Sequence, residues 1–548
     1  MRSTDSPTDP PVESPTDCPA GSLAGSPADS RAAAAGSSAG PSPSPSSPSS
    51  PSAPVVSSRD GELREGAVGL PGALGVTLSN MAPVNGAFLT APAVVAAMGT
   101  QAPWAFVLTT LGLLATALTL GQFARRIVSS GGPVAFAYYA YAPLSSRLGV
   151  LLSSAMFYIT LLSGPLTIGG VAVFAGTWMA ASLHLGGLWW MALSLAVLVF
   201  GGAVVLRGIV ESSRVAMALA AGQFAVLAGF SVLLLVRSGA DAAAPLHAAG
   251  GDPGGFAGLS GLTFPLAVAG MVGWDNSASM AAEIRRPRRV VPVTLAAAVA
   301  LAGGVYALST WAGVAGYAHW QGPAAGTGRF GDPANSAPFL ELADHYLPLA
   351  RPVLAAFGAI SSVACLIAAT TAMSRITFTA ARAGMLPRAL GHVSARRAVP
   401  TGAAVLWLVL IGACVVLPTA LLGAAPTTVS AWEAGIGTVP LLISLFVGLV
   451  GLPVYLLRTA RHTLRPLPHL VIPLVGLVVI GWGVWGNVRP DQPAPGNLYW
   501  LWTGLILLLA LAAAVRFTRR PAGRRDLSAL GLAHPDAPGP EGAPPAAP

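Results

Sequence analysis

The sequence has no lysine, so all 30 of its basic residues are arginine. That absence excludes a phosphate loop of the form G-x-x-x-x-G-K-[ST], whose lysine reaches the nucleotide phosphates. Charge of either sign is scarce, at 9% of residues against 53% hydrophobic. Too few polar groups remain to cover several water-soluble domains, which makes this an all-α integral membrane protein in expectation. Cysteine is nearly absent: Cys18 lies in a polar stretch, and Cys365 and Cys414 lie in apolar ones. Three scattered cysteines give no disulfide framework. No apolar stretch precedes Cys18 and no cleavable signal peptide opens the chain, so the first span is expected to direct insertion. The eight histidines, among them His184, His319, His345, His392 and His462, are read as loop or tail residues. They form no cluster with carboxylates, so neither a metal nor a cofactor is expected. The net charge of +9 is spread in small groups between apolar spans, a distribution that argues against nucleic acid as a partner.

What the chain has instead is a series of apolar windows long enough to cross a bilayer as helix. Residues 1–66, rich in Pro, Ser, Ala and Asp, are expected to be a disordered tail, and 519–548 a second one. Between them, about twelve spans fall at 71–97, 103–125, 148–182, 188–206, 214–236 and 262–282, then 292–316, 351–380, 401–418, 429–456, 468–487 and 498–517. Alternate loops carry most of the arginines: Arg125, Arg126 and Arg147; Arg207 and Arg214; Arg285 to Arg289; Arg382, Arg388, Arg396 and Arg397; Arg458, Arg461 and Arg465. The other set holds only Arg237, Arg329, Arg351 and Arg489. Positive charge stays on the cytoplasmic side, which places the first set and both termini there, in a multi-pass protein of the cell membrane.

Two spans carry interruptions. The first reads Ser79-Asn80-Met81-Ala82-Pro83-Val84-Asn85-Gly86-Ala87-Phe88. Pro83 cannot donate to the carbonyl of Ser79, and Gly86 tolerates non-helical dihedrals, so the helix is expected to break there. The sixth reads Gly270-Met271-Val272-Gly273-Trp274-Asp275-Asn276-Ser277. Glycines and a carboxylate at mid-span leave backbone and charge that lipid cannot satisfy. Paired breaks of this kind point to a transport site, because freed N–H groups hold anions and freed carbonyls hold cations.

These residues also carry a family resemblance. Gly273, Trp274, Asp275, Glu283, Pro287, Arg289 and Pro292 match the span-six motif of amino acid permeases of the amino acid/polyamine/organocation superfamily. Ser374, Arg375, Arg382, Gly384, Leu386, Pro387 and Pro400 resemble the family's loop after span eight, and the resemblance covers about 70 to 520. It implies a leucine-transporter-like fold: a 5+5 inverted repeat with broken helices 1 and 6 and two appended helices, forming a permease domain over 67–518. Two departures stand out. The family's G-x-G-I-F in span one appears as Val84-Asn85-Gly86-Ala87-Phe88, and Gln223 stands where some relatives place a lysine in lieu of sodium.

By the same resemblance, the substrate is an amino acid or related small amine. Asn85, Gly86 and Ala87 would receive its carboxylate, and Gly270, Met271 and Gly273 its ammonium. Trp274 would gate the site or pack within it. Asp275 would bind an amine, take part in proton coupling, or hold the broken backbone. Glu283 would pair with an arginine, Arg375 being the candidate, to make a cytoplasmic gate. Asn80, Tyr158, Gln223 and Ser361 are possible pocket residues, and Glu433, near the outer end of span ten, is read as a headgroup-zone residue with a proton site as the alternative. Proton-coupled symport is expected, with amino acid/amine exchange, a precursor against its decarboxylated product, as the alternative. A non-transporting receptor or scaffold would need a large ordered terminal domain. Membrane-embedded enzyme chemistry lacks its acid/base cluster. The oligomeric state is left open.

Overall fold

The computed structural model describes residues 68–129, 131–207, 213–239, 243, 258, 263–394, 399–489 and 496–520. The expected tail at 1–66 and the segment 521–548 of the other, together with Cys18, Arg396 and Arg397, lie outside the described residues. Eleven helices among the described residues are long and apolar enough to cross a membrane, and most begin and end within a few residues of the expected spans. The remaining expected span, the sixth at 262–282, holds two short helices separated by turns.

In chain order the helices are α1 (Leu70–Met81), α2 (Pro83–Met98), α3 (Pro103–Arg126), α4 (Gly132–Tyr141), α5 (Ser146–Ser182) and α6 (Trp189–Arg207). There follow α7 (Ser213–Ser238), α8 (Thr263–Ala269), α9 (Asn276–Ser279), α10 (Pro287–Gln321), α11 (Pro323–Phe330) and α12 (Pro338–Tyr346). The set ends with α13 (Arg351–Arg382), α14 (Thr401–Leu422), α15 (Pro426–Thr459), α16 (Ile472–Val488) and α17 (Tyr499–Thr518). Proline opens many of them, at the position where its missing N–H costs nothing and its fixed φ suits the first turn. No strand occurs among the described residues; the lone bridge joins Val68 to Ile284.

Small residues set how closely the helices approach, as expected where lipid gives no hydrophobic drive between spans. A Cβ on Gly437 of α15 would lie 2.5 Å from Thr167 Oγ1 of α5, and one on Gly121 of α3 would lie 3.2 Å from Pro292 of α10. Many serine and threonine hydroxyls bond back to carbonyls one turn earlier, while others, such as those of Ser163, Ser361 and Thr370, are buried without a protein partner. On the side away from the arginine-rich loops, α11 and α12 fold over the bundle. Phe339 of α12 stacks on Phe88 of α2 at 4.1 Å between centroids, and Phe88 lies 5.3 Å from Trp178 of α5. Glu341 of α12 takes bonds from Arg329, Tyr317 and Asn335, which ties this cover to α10. Burial raises the Glu341 carboxyl, but the three donors outweigh it and hold the group below its ordinary value.

Candidate functional site

The break in the first span falls at Ala82, whose φ of 46° is left-handed. An L-residue other than glycine meets a steric cost there. Pro83 explains it: with no N–H and a ring that clashes with the previous turn, it starts a new helix, and Ala82 absorbs the change of direction. The Ala82 N–H closes the end of α1 on Ser79 O at 3.2 Å, and the Gly86 N–H bonds to Ala82 O at 2.7 Å. The N–H groups without an intrahelical acceptor are therefore those of Val84 and Asn85, at the second and third positions of α2. Gly86 has another part. A Cβ there would lie 2.5 Å from Gly270 O, so this glycine lets α2 pass against the broken sixth span.

The second break runs from Gly270 to Asp275, with Gly273 at φ 100°. The two breaks are cross-linked. Asn80 Nδ2 donates to Gly273 O at 3.2 Å, Cys365 Sγ of α13 donates to Asn80 O at 3.1 Å, and the Tyr306 hydroxyl of α10 reaches Met81 O at 3.4 Å. Carbonyls released by the missing helical turns are thus met partly by side chains from two neighbouring helices, as buried backbone requires.

Between the breaks lies a cavity of about 170 Å³. A cavity of about 150 Å³ holds a benzene-sized molecule, so the space suits a small ligand. Its wall combines the α1–α2 break, the 270–276 segment, and faces of α5, α13 and α15. Asp275 is the one charged side chain among the described lining residues. Several lining residues also present a buried polar atom with no protein partner: Oδ1 of Asn80 and of Asn85, Nδ2 of Asn276, and Oγ1 of Thr438. Unpaired polar atoms are costly in a dry interior, and here they gather around one space. The rest of the wall is apolar, with Trp274 only 4% exposed.

Of the residues singled out from sequence, Asn80, Asn85, Gly86, Gly270, Gly273, Trp274 and Asp275 line this cavity. Ala87 and Met271 are fully buried and stand off its wall. Tyr158 points elsewhere, its hydroxyl donating to Met385 O at 2.8 Å. Gln223 and Ser361 are buried off the wall as well, Gln223 on α7 and Ser361 on α13. Asn85 also ties helices together, donating to Ser362 Oγ at 2.6 Å. Cys365, Thr167 and Thr438 join the wall without having been singled out as pocket residues, and Asn276 joins it from the polar run at the second break; a lone polar residue on an apolar span does not reveal its direction.

Toward the arginine-rich end, Arg375 and Glu283 form an ion pair at 3.0 Å whose alignment is that of charge attraction, outside hydrogen-bond geometry. Beside it, the chain entering α1 is pinned to the segment leaving the sixth span. Val68 N–H donates to Glu283 O at 3.0 Å and Arg285 N–H to Val68 O at 2.7 Å. Two sequence expectations need correction. His469 is buried within the start of its span and accepts the Arg465 N–H on Nδ1, because a π-helical turn at Leu467–Val471 winds it inward. Glu433 is 3% exposed and packed against α5, so its carboxyl faces the interior of the bundle and not lipid headgroups.

Among curated proteins no significant match is found. The family model described as amino acid permease matches residues 68–515, which spans both breaks, the Glu283–Arg375 pair and every wall of the cavity. This multi-pass membrane protein belongs to the amino acid permease family.

Proposed function

We propose that the protein is a secondary active transporter that carries a small amino acid or amine across the cell membrane by alternating access, in symport with protons. In this proposal the chain is built as a 5+5 inverted repeat with two appended helices, and the arginine-rich loops and both termini are cytoplasmic. The observation that carries the substrate class is the lone carboxylate of Asp275 on a cavity wall with no cationic side chain among its described residues. A ligand that brings its own positive charge completes the pair, whereas a second anion would add to an uncompensated charge in low dielectric. The N–H groups of Val84 and Asn85 sit at a helix start, where the partial positive charge suits a carboxylate. An amino acid would use both ends of this arrangement, and a simple amine only the acidic one. The flat face of Trp274 adds a second attraction for an ammonium.

In this scheme the aromatic stack of Phe88, Trp178 and Phe339 closes the outer side, and the Glu283–Arg375 pair holds the inner side until the helices rearrange. The test is uptake of radiolabelled amino acids and amines into vesicles containing the purified protein. A charge-assisted contact is worth about 1.5–3 kcal/mol, so Asp275→Asn is expected to weaken amine uptake roughly ten- to a hundredfold. Its melting temperature should stay close to that of the wild type. Unchanged flux in the folded variant would remove Asp275 from the site.

A further inference from the structure

Glu433 is a second intramembrane carboxylate, off the wall of the substrate cavity. It lies on α15 where that helix meets α5 and α14. Neither of its oxygens takes a bond from an N–H or O–H group, and none of the ion pairs among the described residues includes it. The titratable side chain facing this spot is the Cys414 thiol of α14, beside the carboxylate. Tyr499 of α17 packs against Gly435, two residues on from Glu433 and so toward the other side of α15, and points its hydroxyl to Ala431 O at 3.5 Å. From α5 the facing residues are Gly169 and Gly170, which offer no side chain at all. A Cβ on Gly169 would sit 3.0 Å from Glu433 Oε2, so the missing side chain is what makes room for the carboxyl group.

An ionised carboxylate held this way has no counter-ion and only the weak S–H donor of Cys414, which is a costly state inside a membrane bundle. The acid form carries no charge and needs only ordinary packing. Position makes that difference consequential. Gly437 is four residues on from Glu433, hence on the same face of α15, and it packs on Thr167, which lines the substrate cavity. The seam between α5 and α15 is therefore both the enclosure of Glu433 and part of the cavity wall.

We propose that Glu433 is the proton-carrying site of the transport cycle, distinct from the substrate site. This rests on the transporter function proposed above. With the seam shut, the group holds a proton. Parting of α5 from α15 admits water, and the proton leaves to water on the side then open. Reprotonation from the other side lets the seam close again. Proton occupancy and cavity access are thereby linked through one pair of helices.

The experiment uses full-length protein in vesicles, with an accumulated amine or amino acid as probe and the membrane potential clamped. Wild-type protein should exchange labelled for unlabelled substrate without a gradient; absence of that exchange would fault the transporter assignment itself. Under a one-unit pH gradient the wild type should also accumulate substrate about tenfold, at one proton per substrate. Glu433→Gln, the neutral mimic of the acid form, should retain exchange and lose accumulation, giving equal concentrations inside and out. Accumulation equal to wild type in that variant would overturn the proposal, as would loss of exchange together with accumulation in folded protein. Should the glutamine variant not fold, Glu433→Asp decides: a displaced pH profile of accumulation supports the site, and an unmoved profile refutes it.

Discussion

Replacing Gly86 by alanine isolates the contact between the two broken spans. In the native structure the Gly86 position of α2 lies so close to the turn of the sixth span that an added methyl would meet Gly270 O at 2.5 Å and press on the Tyr306 ring at 2.7 Å. Ordinary contacts of that kind begin near 3.4 Å, so the two segments would have to part by most of an ångström or tilt. Alanine would gain about 1 kcal/mol of helix propensity over glycine, but overpacking a close-packed site costs about 1–3 kcal/mol. The steric term wins, and it does so at a backbone oxygen, which has no rotamer to escape into. Gly304 of α10 is the matched control, since nothing lies within 4 Å of a Cβ placed there. We expect Gly86→Ala to lower the melting temperature of detergent-purified protein and to cut vesicle uptake severalfold. Gly304→Ala should leave both unchanged or raise stability slightly. If Gly86→Ala transports and melts like the wild type, the two breaks are not packed as described and the argument fails.

Two further predictions test the ends of the bundle. Glu283 and Arg375 are largely buried partners, with 10% and 15% of their side chains exposed, so removing one strands the other. Glu283→Gln and Arg375→Met should each impair transport more than the double variant does relative to simple addition, with a coupling of about 0.5–3 kcal/mol in a double-mutant cycle; strict additivity would show that the pair does no joint work. On the opposite side, the Glu341 carboxyl is held below its ordinary value by Arg329, Tyr317 and Asn335 despite burial. A depressed acid stabilises the fold at pH above its unfolded value of about 4.3 and ceases to do so as pH falls through the lower folded value. The melting-temperature gap between wild type and Glu341→Gln should accordingly be widest near neutrality and vanish under acid conditions, and a gap that grows on acidification would contradict the assigned contacts.

The membrane spans were legible because apolar length, proline starts and arginine-bearing loops mark them independently. The breaks were legible too, since Pro83 and the Gly270–Gly273 run cannot continue a helix. Their detail was not. Pro83 announces a break without saying that Ala82, one residue earlier, adopts the left-handed conformation. Gly86 looked like an open donor and instead serves a close approach, a fact that depends on Gly270 and Tyr306, far away in sequence. The helices α4, α11 and α12 escaped notice because they are short and lie outside the spans. Tyr158 and Glu433 show the same limit at the level of side chains: a polar residue on an apolar helix is conspicuous, but which neighbour it faces is settled by tertiary packing.

The most direct test of the central claim is a thermal-shift titration of the purified protein with amino acids and amines, run in parallel on Asp275→Asn. A ligand at a hundred times its dissociation constant stabilises the folded form by about 2.7 kcal/mol. An amine-bearing compound should therefore raise the wild-type melting temperature and raise that of Asp275→Asn far less. Equal shifts in the two proteins would place the ligand somewhere other than the cavity between the broken helices.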